Sequence, residues 1–278
     1  MTQDSRPSMA EFFGYRHHPF ADTRHGANAF IGPKDERIRD RALSLLQCGK
    51  SFALCGPSGA GKSTLAALLA GMLDPTIYKP VMLHYAGFNR AGLLRAIADR
   101  LGVDTAGRGT PLLIRLQKHL LTLTGAAHSL YPVLFIDDAQ LLERESMMDL
   151  CSLMVSADKK TVAASIVLIG DDTLRQILKL SVLAPVKTRL TAIFPMDPLD
   201  DKNSEQFITH RLDQAKAPKH LFEADVMALI SAHCRGNRRL IMNTATLLLD
   251  EAYFRQEKTV NAQTLLECDL IQPEDGNR

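Results

Sequence analysis

The sequence lacks any apolar run approaching the roughly 18 uncharged residues that a membrane span needs, so no part of it specifies a bilayer-crossing helix. Its five cysteines, Cys48, Cys55, Cys151, Cys234 and Cys268, include no C-x-x-C pair. That scatter, mostly in apolar context, argues against a disulfide framework or a cysteine metal centre and for buried thiols in a reducing compartment. Charge of one sign is also missing: the net value is +2 over 278 residues. No global excess therefore draws the chain to nucleic acid or membrane, although a local basic surface is compatible with so small a total. Residues 1–24 carry charges and histidines but no apolar core, unlike a secretory leader, and the expected compartment is the cytoplasm. Internal repeats and low-complexity segments are absent as well.

What is present is 46% hydrophobic residues, enough for one large domain or two modest ones with proper cores. The strongest local pattern is Gly56, Pro57, Ser58, Gly59, Ala60, Gly61, Lys62, Ser63, which fits G-x-x-x-x-G-K-[ST] at every fixed position. It follows a short apolar run at 51–55 that reads as a buried strand. It precedes a helical run at 64–73, beginning at Thr64, with Ala, Leu and Met at helical spacing. Three glycines let the backbone curl until successive N–H groups face phosphate oxygens, and the following helix adds the positive end of its dipole. Lys62 is expected to reach the β- and γ-phosphates of a nucleoside triphosphate, and the Ser63 hydroxyl to ligate Mg2+.

A second landmark is residues 132–138 (PVLFIDD), four consecutive apolar residues of the kind buried on both faces of a parallel sheet, ending in two carboxylates. Open α/β sheets bind ligands at the carboxyl ends of their strands, which places Asp137 and Asp138 beside the phosphate loop. Asp137 is expected to hold magnesium, and Asp138 to orient or deprotonate the attacking water.

The remaining chain fits around these two. Aromatic residues Phe12, Phe13, Tyr15 and Phe20, with Gly14 and Pro19, suggest an irregular arm over 1–29 pinned by its rings. His17 and His18 lack nearby ligands at metal spacing. Helices are expected at 35–47, 91–101, 111–123, 143–157 and 173–180, with a connector at 104–109. Additional strands are expected at 79–85 (KPVMLHY), 163–170 (AASIVLIG) and 192–195, the second of these ending before Asp171 and Asp172. This βαβ series specifies a three-layer αβα domain with a parallel five-stranded sheet over residues 30–198. After Pro198 no strand pattern remains. Helical runs at 204–217, 224–234, 238–255 and 262–270 form a small all-helical domain over 199–270, with a polar tail at 271–278.

This order of strand, phosphate loop, acidic strand, polar-tipped fourth strand, arginine before the fifth strand and helical lid resembles the AAA+ ATPases. No [NT]-K-x-D guanine signature and no L-S-G-G-Q transporter signature is present. Within AAA+ the chain resembles the ExeA (general secretion pathway protein A) group and the transposition ATPases TnsC and MuB. The likeness is carried by Phe12-Phe13-Gly14 with Pro19-Phe20, by Ile136-Asp137-Asp138-Ala139-Gln140, by residues 166–170 (IVLIG) and by residues 236–241 (GNRRLI). The resemblance implies ATP and Mg2+ as cofactors, Asp171 or Asp172 at the sensor 1 region, Arg189 as an arginine finger acting in trans, and Arg239 as sensor 2. It also implies assembly with further copies of the chain into a ring or filament.

Two departures bear on function. The family usually has Asp-Glu where this chain has Asp137-Asp138, and the shorter acid implies slow turnover with binding retained. Secretion-type members resemble the chain only in their ATPase half, whereas the chain stops at Arg278. A stand-alone member resembles the transposition ATPases, implying DNA and a transposase as partners. On the same resemblance Asn89 and Arg90, with Lys118 and His119, lie in a region that lines the central pore. Readings from other classes remain: an ATP-gated scaffold with negligible hydrolysis, and a secretion-assembly ATPase.

Overall fold

Uninterrupted apolar runs require cover on both faces, and the central strands receive it. In the computed structural model every residue of β1 (Ser51–Cys55) and β4 (Ser165–Gly170) is buried, as is β3 (Tyr131–Asp137) beyond its first residue. The structure describes residues 7–22, 28–84, 87, 89–106, 109–125, 130–154 and 162–271. The expected tail at 272–278, the Tyr85 end of the second strand, Phe88, residues 107–108 of the connector, the 155–157 end of one helix and parts of the arm lie outside them.

With β2 (Tyr78–His84) and β5 (Leu190–Pro195), these strands form one parallel five-stranded sheet in the order β2-β3-β4-β1-β5. Registers such as Cys55↔Gly170 and His84↔Asp137 align the strands' carboxyl ends. The edge strands alternate between cover and exposure. β5 starts two residues before the apolar pattern suggests, because its pairing with β1 begins at Ser51↔Leu190.

Helices α2 (Pro33–Gln47), α3 (Lys62–Met72), α4 (Arg90–Leu101), α5 (Leu112–Gly125), α6 (Arg144–Leu153), α7 (Asp172–Ile177) and α8 (Ala184–Lys187) accompany the sheet. One core joins Leu134, Ile136 and Leu168 to Leu93 and Ile97 of α4 and to Leu116 and Leu120 of α5. Of the leucine stripe expected on α5, Leu116 and Leu120 are fully buried and Leu113 and Leu121 half-buried. Burial pushes the Cys55 and Cys151 thiols up to about 11, which keeps them protonated at neutral pH. No described helix is long and apolar enough to cross a membrane.

By its contacts the chain divides into two compact units. One is Pro33–Pro57 with Gly61–Met196; the other takes in the described residues of Met1–Gly32, Ser58–Ala60 and Asp197–Arg278. The arm thus groups with the helical unit rather than standing apart, and the division falls at 196/197 rather than 198/199. Nor is the arm wholly irregular. Ser8 and Glu11 form a capping box that starts α1 (Met9–Phe13), and Gly14 closes it at φ +75°.

The helical unit holds α9 (Asp201–Gln214), α10 (Ala224–Cys234), α11 (Arg238–Phe254) and α12 (Ala262–Leu266), plus a single parallel bridge between Phe222 and Val260. Its core admits the arm's Phe12, Phe13, Tyr15 and Phe20. Phe20 meets Phe222 edge to face at 5.5 Å, and the Lys258 ammonium sits 3.5 Å from the Phe12 ring centre. The buried Arg211 donates to the carbonyls of Pro19 and Ala21 at 2.8 and 2.7 Å, satisfying backbone that would otherwise be stranded. Phe13→Ala is expected to destabilise the helical unit by about 3–5 kcal/mol, the cost of emptying an aromatic core site, as read by urea denaturation.

Candidate nucleotide-binding site

The sheet unit supplies the base of the loop and its acidic surroundings. Leaving β1, the chain passes Gly56 and Pro57 and re-enters at Gly61, the N-cap of α3, where no side chain satisfies the first-turn N–H groups. Lys62 is only 9% exposed. Its ammonium donates to the carbonyls of Gly56 and Pro57, both at 2.8 Å. Burial pushes the Lys62 pKa down, and the carboxylates of Asp137, Asp171, Asp138 and Asp172 oppose that shift. The structure therefore gathers these acids around the loop lysine. Ser63 is exposed and Thr64 half-buried in the first turn of α3.

At the end of β3, Asp137 is 6% exposed. One of its oxygens accepts from the Asp138 backbone N–H at 3.0 Å, and the other lies 3.2 Å from His84 Nδ1 on the neighbouring strand. His84 was not foreseen, since only strand register sets it opposite Asp137. Asp138 is exposed and left-handed, at φ +52° and ψ +37°, a conformation uncommon for non-glycine residues but one that aspartate adopts more readily than most. Its Oδ1 accepts from Gln140 Nε2 at 3.2 Å, while Gln140 Oε1 accepts from the Asp171 N–H at 3.4 Å. The Asp171 carboxylate caps α7, accepting from Thr173 N at 2.8 Å and Leu174 N at 3.4 Å. Asp172, the alternative in this pair, is exposed on the first residue of that helix.

The helical unit carries the loop tip. Arg239 Nη1 donates to the Ser58 hydroxyl at 3.0 Å, and Asn237 Nδ2 to the Ser58 carbonyl at 2.8 Å. The Arg238 backbone N–H donates to the Gly59 carbonyl at 3.1 Å, and its guanidinium to the Ala60 carbonyl. Adjacent arginines thus divide the work. Arg238 is buried and binds loop backbone, whereas Arg239 is exposed and reaches a loop side chain. Asn237, absent from the sequence-based set of site residues, also caps α11 through Arg239 N and Leu240 N. Gly59 sits at φ +80°, and a Cβ there would lie 1.9 Å from Asn237 Oδ1.

Arg189 is not brought to this loop. It directly precedes β5, at the amino end of the sheet, and donates from Nη1 to the Pro185 carbonyl at 2.8 Å. A six-residue strand spans about 20 Å, so the residue is turned away from the carboxyl-end site of its own sheet. Asn89 and Arg90 have structural employment: Asn89 accepts from Gly92 N as the N-cap of α4, and Arg90 makes a bidentate pair with Asp149 at 2.6 and 2.8 Å. Lys118 is exposed, but the Nε2 of the expected companion His119 is buried.

A parallel sheet, a G-x-x-x-x-G-K-S loop between β1 and a helix, and paired carboxylates at the end of β3, one strand removed, define a P-loop protein of the AAA+ fold. Residues 48–178 match the family model described as an AAA domain. Over 235 residues it is 26% identical to the general secretion pathway protein A of Aeromonas hydrophila, covering 83% of this chain but 42% of that relative. Among solved structures it is similar to the Aeropyrum pernix Orc1 protein in complex with DNA, with TM-score 0.71, 17% identity and coverage of 90% and 67% of the two chains. The Thermotoga maritima RuvB Holliday junction branch migration motor gives TM-score 0.60 and 20% identity over 86% and 69%.

Gly59→Ala is expected to destabilise the helical unit by about 1–3 kcal/mol through backbone strain alone, with the Asn237 clash added. Adding Asn237→Ala should return the clash component but not the strain, a difference measurable in thermal melts of the single and double variants.

Proposed function

We propose that the protein is an ATPase that works as an oligomer and is associated with DNA, most specifically in target selection and transposase recruitment during transposition. The observation that carries the nucleotide part is the buried Lys62 among four acidic groups, beside a helix start whose N–H groups no side chain caps. A triphosphate entering this ring of carboxylates would be repelled without a divalent cation. The hydroxyl of Ser63 and the carboxylate of Asp137 are the hard oxygen donors such a cation prefers. They would hold Mg2+, which when bound neutralises charge on the phosphate oxygens.

In this reading the backbone of Gly56, Pro57, Ser58, Gly59, Ala60 and Gly61 cradles the phosphates with Lys62, Ser63 and Thr64. Asp138 orients the attacking water or takes its proton. Arg239, already hydrogen-bonded to Ser58, senses phosphate on the loop, and Asp171 or Asp172 does so from the β4 end. Arg189 completes the site of a neighbouring copy, where a guanidinium stabilises charge building on the γ-phosphate. That division makes hydrolysis depend on assembly.

Support for DNA association comes from what the structural relatives are called, an Orc1 protein in complex with DNA and a Holliday junction motor. A secretion-assembly ATPase is favoured instead by the 26% identity to a general secretion pathway protein A. An ATP-gated scaffold with slow or negligible hydrolysis is favoured by Asp138, one methylene shorter than the family's usual glutamate.

Lys62→Ala is expected to abolish phosphate release and to weaken ATP binding, while duplex DNA raises the rate of the unaltered protein. Arg189→Ala should keep ATP affinity and lose about 100-fold or more in turnover, the cost of removing one transition-state donor. Asp138→Glu should be faster if the shorter acid limits catalysis. Light scattering with ATP and with ADP, beside a phosphate-release assay, separates the readings. Nucleotide-dependent assembly without release points to the scaffold, and no release with ATP under any condition removes the enzymatic claim.

A further inference from the structure

Asp138 has an exposed carboxylate on a left-handed backbone, one bond short of the usual acid, and its geometry must come from something beyond its own side chain. Among the described residues, the side chain that holds this carboxylate is Gln140. Its amide spans two strand ends: Nε2 donates to Asp138 Oδ1 at 3.2 Å after β3, and Oε1 accepts from the Asp171 N–H at 3.4 Å after β4. Both ends of the amide are therefore used with the correct polarity, which fixes its flip.

The surroundings leave this amide little freedom. Ala139 is fully buried and anchors the short 3-10 turn Ala139–Leu141 that carries Gln140. Across from it, Gly170 has no side chain, and a Cβ there would lie 2.6 Å from Gln140 Oε1. The last residue of β4 is thus a glycine where the glutamine crosses. A hydrogen bond to one oxygen biases the carboxylate toward the rotamer that keeps it.

We infer that Gln140 is a positioning residue for hydrolysis, acting through Asp138: it aims the carboxylate and ties that aim to the β4 end that carries Asp171 and Asp172. This rests on the ATPase reading above. The link also gives the acid and the sensor-region strand end a shared element, so that a shift of the Asp171 backbone moves the Asp138 carboxylate.

Gln140→Met tests it, since methionine fills similar space and makes neither hydrogen bond. Gln140→Glu, equal in length, keeps the acceptor toward Asp171 but sets a like charge against Asp138. Both variants are expected to lower kcat about 10- to 100-fold, the order expected for an ångström-scale misplacement, with KM and the affinity for a non-hydrolysable ATP analogue changed less than about twofold. In an Asp138→Ala background Gln140→Met should have no further effect on kcat, because the residue acts only through that acid. A nucleotide-independent readout accompanies this: the Asp171 amide should exchange its hydrogen faster in Gln140→Met than in the unaltered chain.

If the unaltered protein turns over and Gln140→Met matches it, or lowers kcat as much without Asp138 as with it, the positioning role is overturned and the ATPase reading stands. An Asp171 amide whose exchange is unchanged overturns the bridge itself. If the unaltered protein binds nucleotide and shows no turnover with or without DNA, both the hydrolysis reading and this role fall.

Discussion

The site depends on keeping one buried ammonium charged. Lys62 loses most of its water, which alone would favour the neutral amine. It is held in place by two carbonyls of its own loop and by the field of Asp137, Asp171, Asp138 and Asp172. Those acids converge only because β1, β4 and β3 lie side by side and run parallel, so that their carboxyl ends share one edge. The sheet order is therefore an electrostatic requirement as much as a packing result. Unpaired, four carboxylates at one edge would repel one another and any phosphate. In the proposed reading, the lysine and a divalent cation would offset that repulsion for a bound polyphosphate.

The same loop makes a second demand, on the backbone. Its tip, Ser58–Ala60, is bonded by three consecutive residues at the start of α11, one through a side-chain amide, one through both backbone and guanidinium, one through a guanidinium alone. Carbonyls of a tightly curled loop point outward and need donors, and a helix start rich in Asn and Arg provides them. Arg238 takes that backbone role, whereas Arg239 contacts the Ser58 hydroxyl, a partner that in the proposed reading it would exchange for a phosphate oxygen.

Much of the sheet unit was legible in sequence because fully buried parallel strands read as unbroken apolar runs, and β1, β3 and β4 are of that kind. Two strand starts differ by two residues: β4 begins at Ser165 rather than 163, and β5 begins at Leu190 rather than 192, an edge strand with a mixed pattern whose pairing to Ser51 rather than hydropathy sets its start. The loop's local geometry was legible from its linear motif, since spacing along one turn brings Lys62 back onto the carbonyls of Gly56 and Pro57. His84 and Gln140 were not, since each acquires its role from a neighbouring strand. Arg90 shows the converse. Read locally it is an exposed cation at a helix start, yet its partner Asp149 lies 59 residues away in sequence and is buried. The arm's helix was missed because a five-residue helix has no periodicity to detect, only its cap.

Arg189 and Asp138 together set the character of the site. Arg189 stands at the amino end of β5, a strand length from the loop edge, and no side chain spans about 20 Å. Arg189 therefore does not reach the loop of its own sheet, and in the proposed reading it would act on the site of another copy. Asp138 is one methylene shorter than a glutamate, and Gln140 donates to its carboxylate. In the proposed reading, a short acid and an arginine turned away from its own loop would slow hydrolysis more than binding. The bound state would then persist until a second copy supplied the missing charge, which is how a switch behaves.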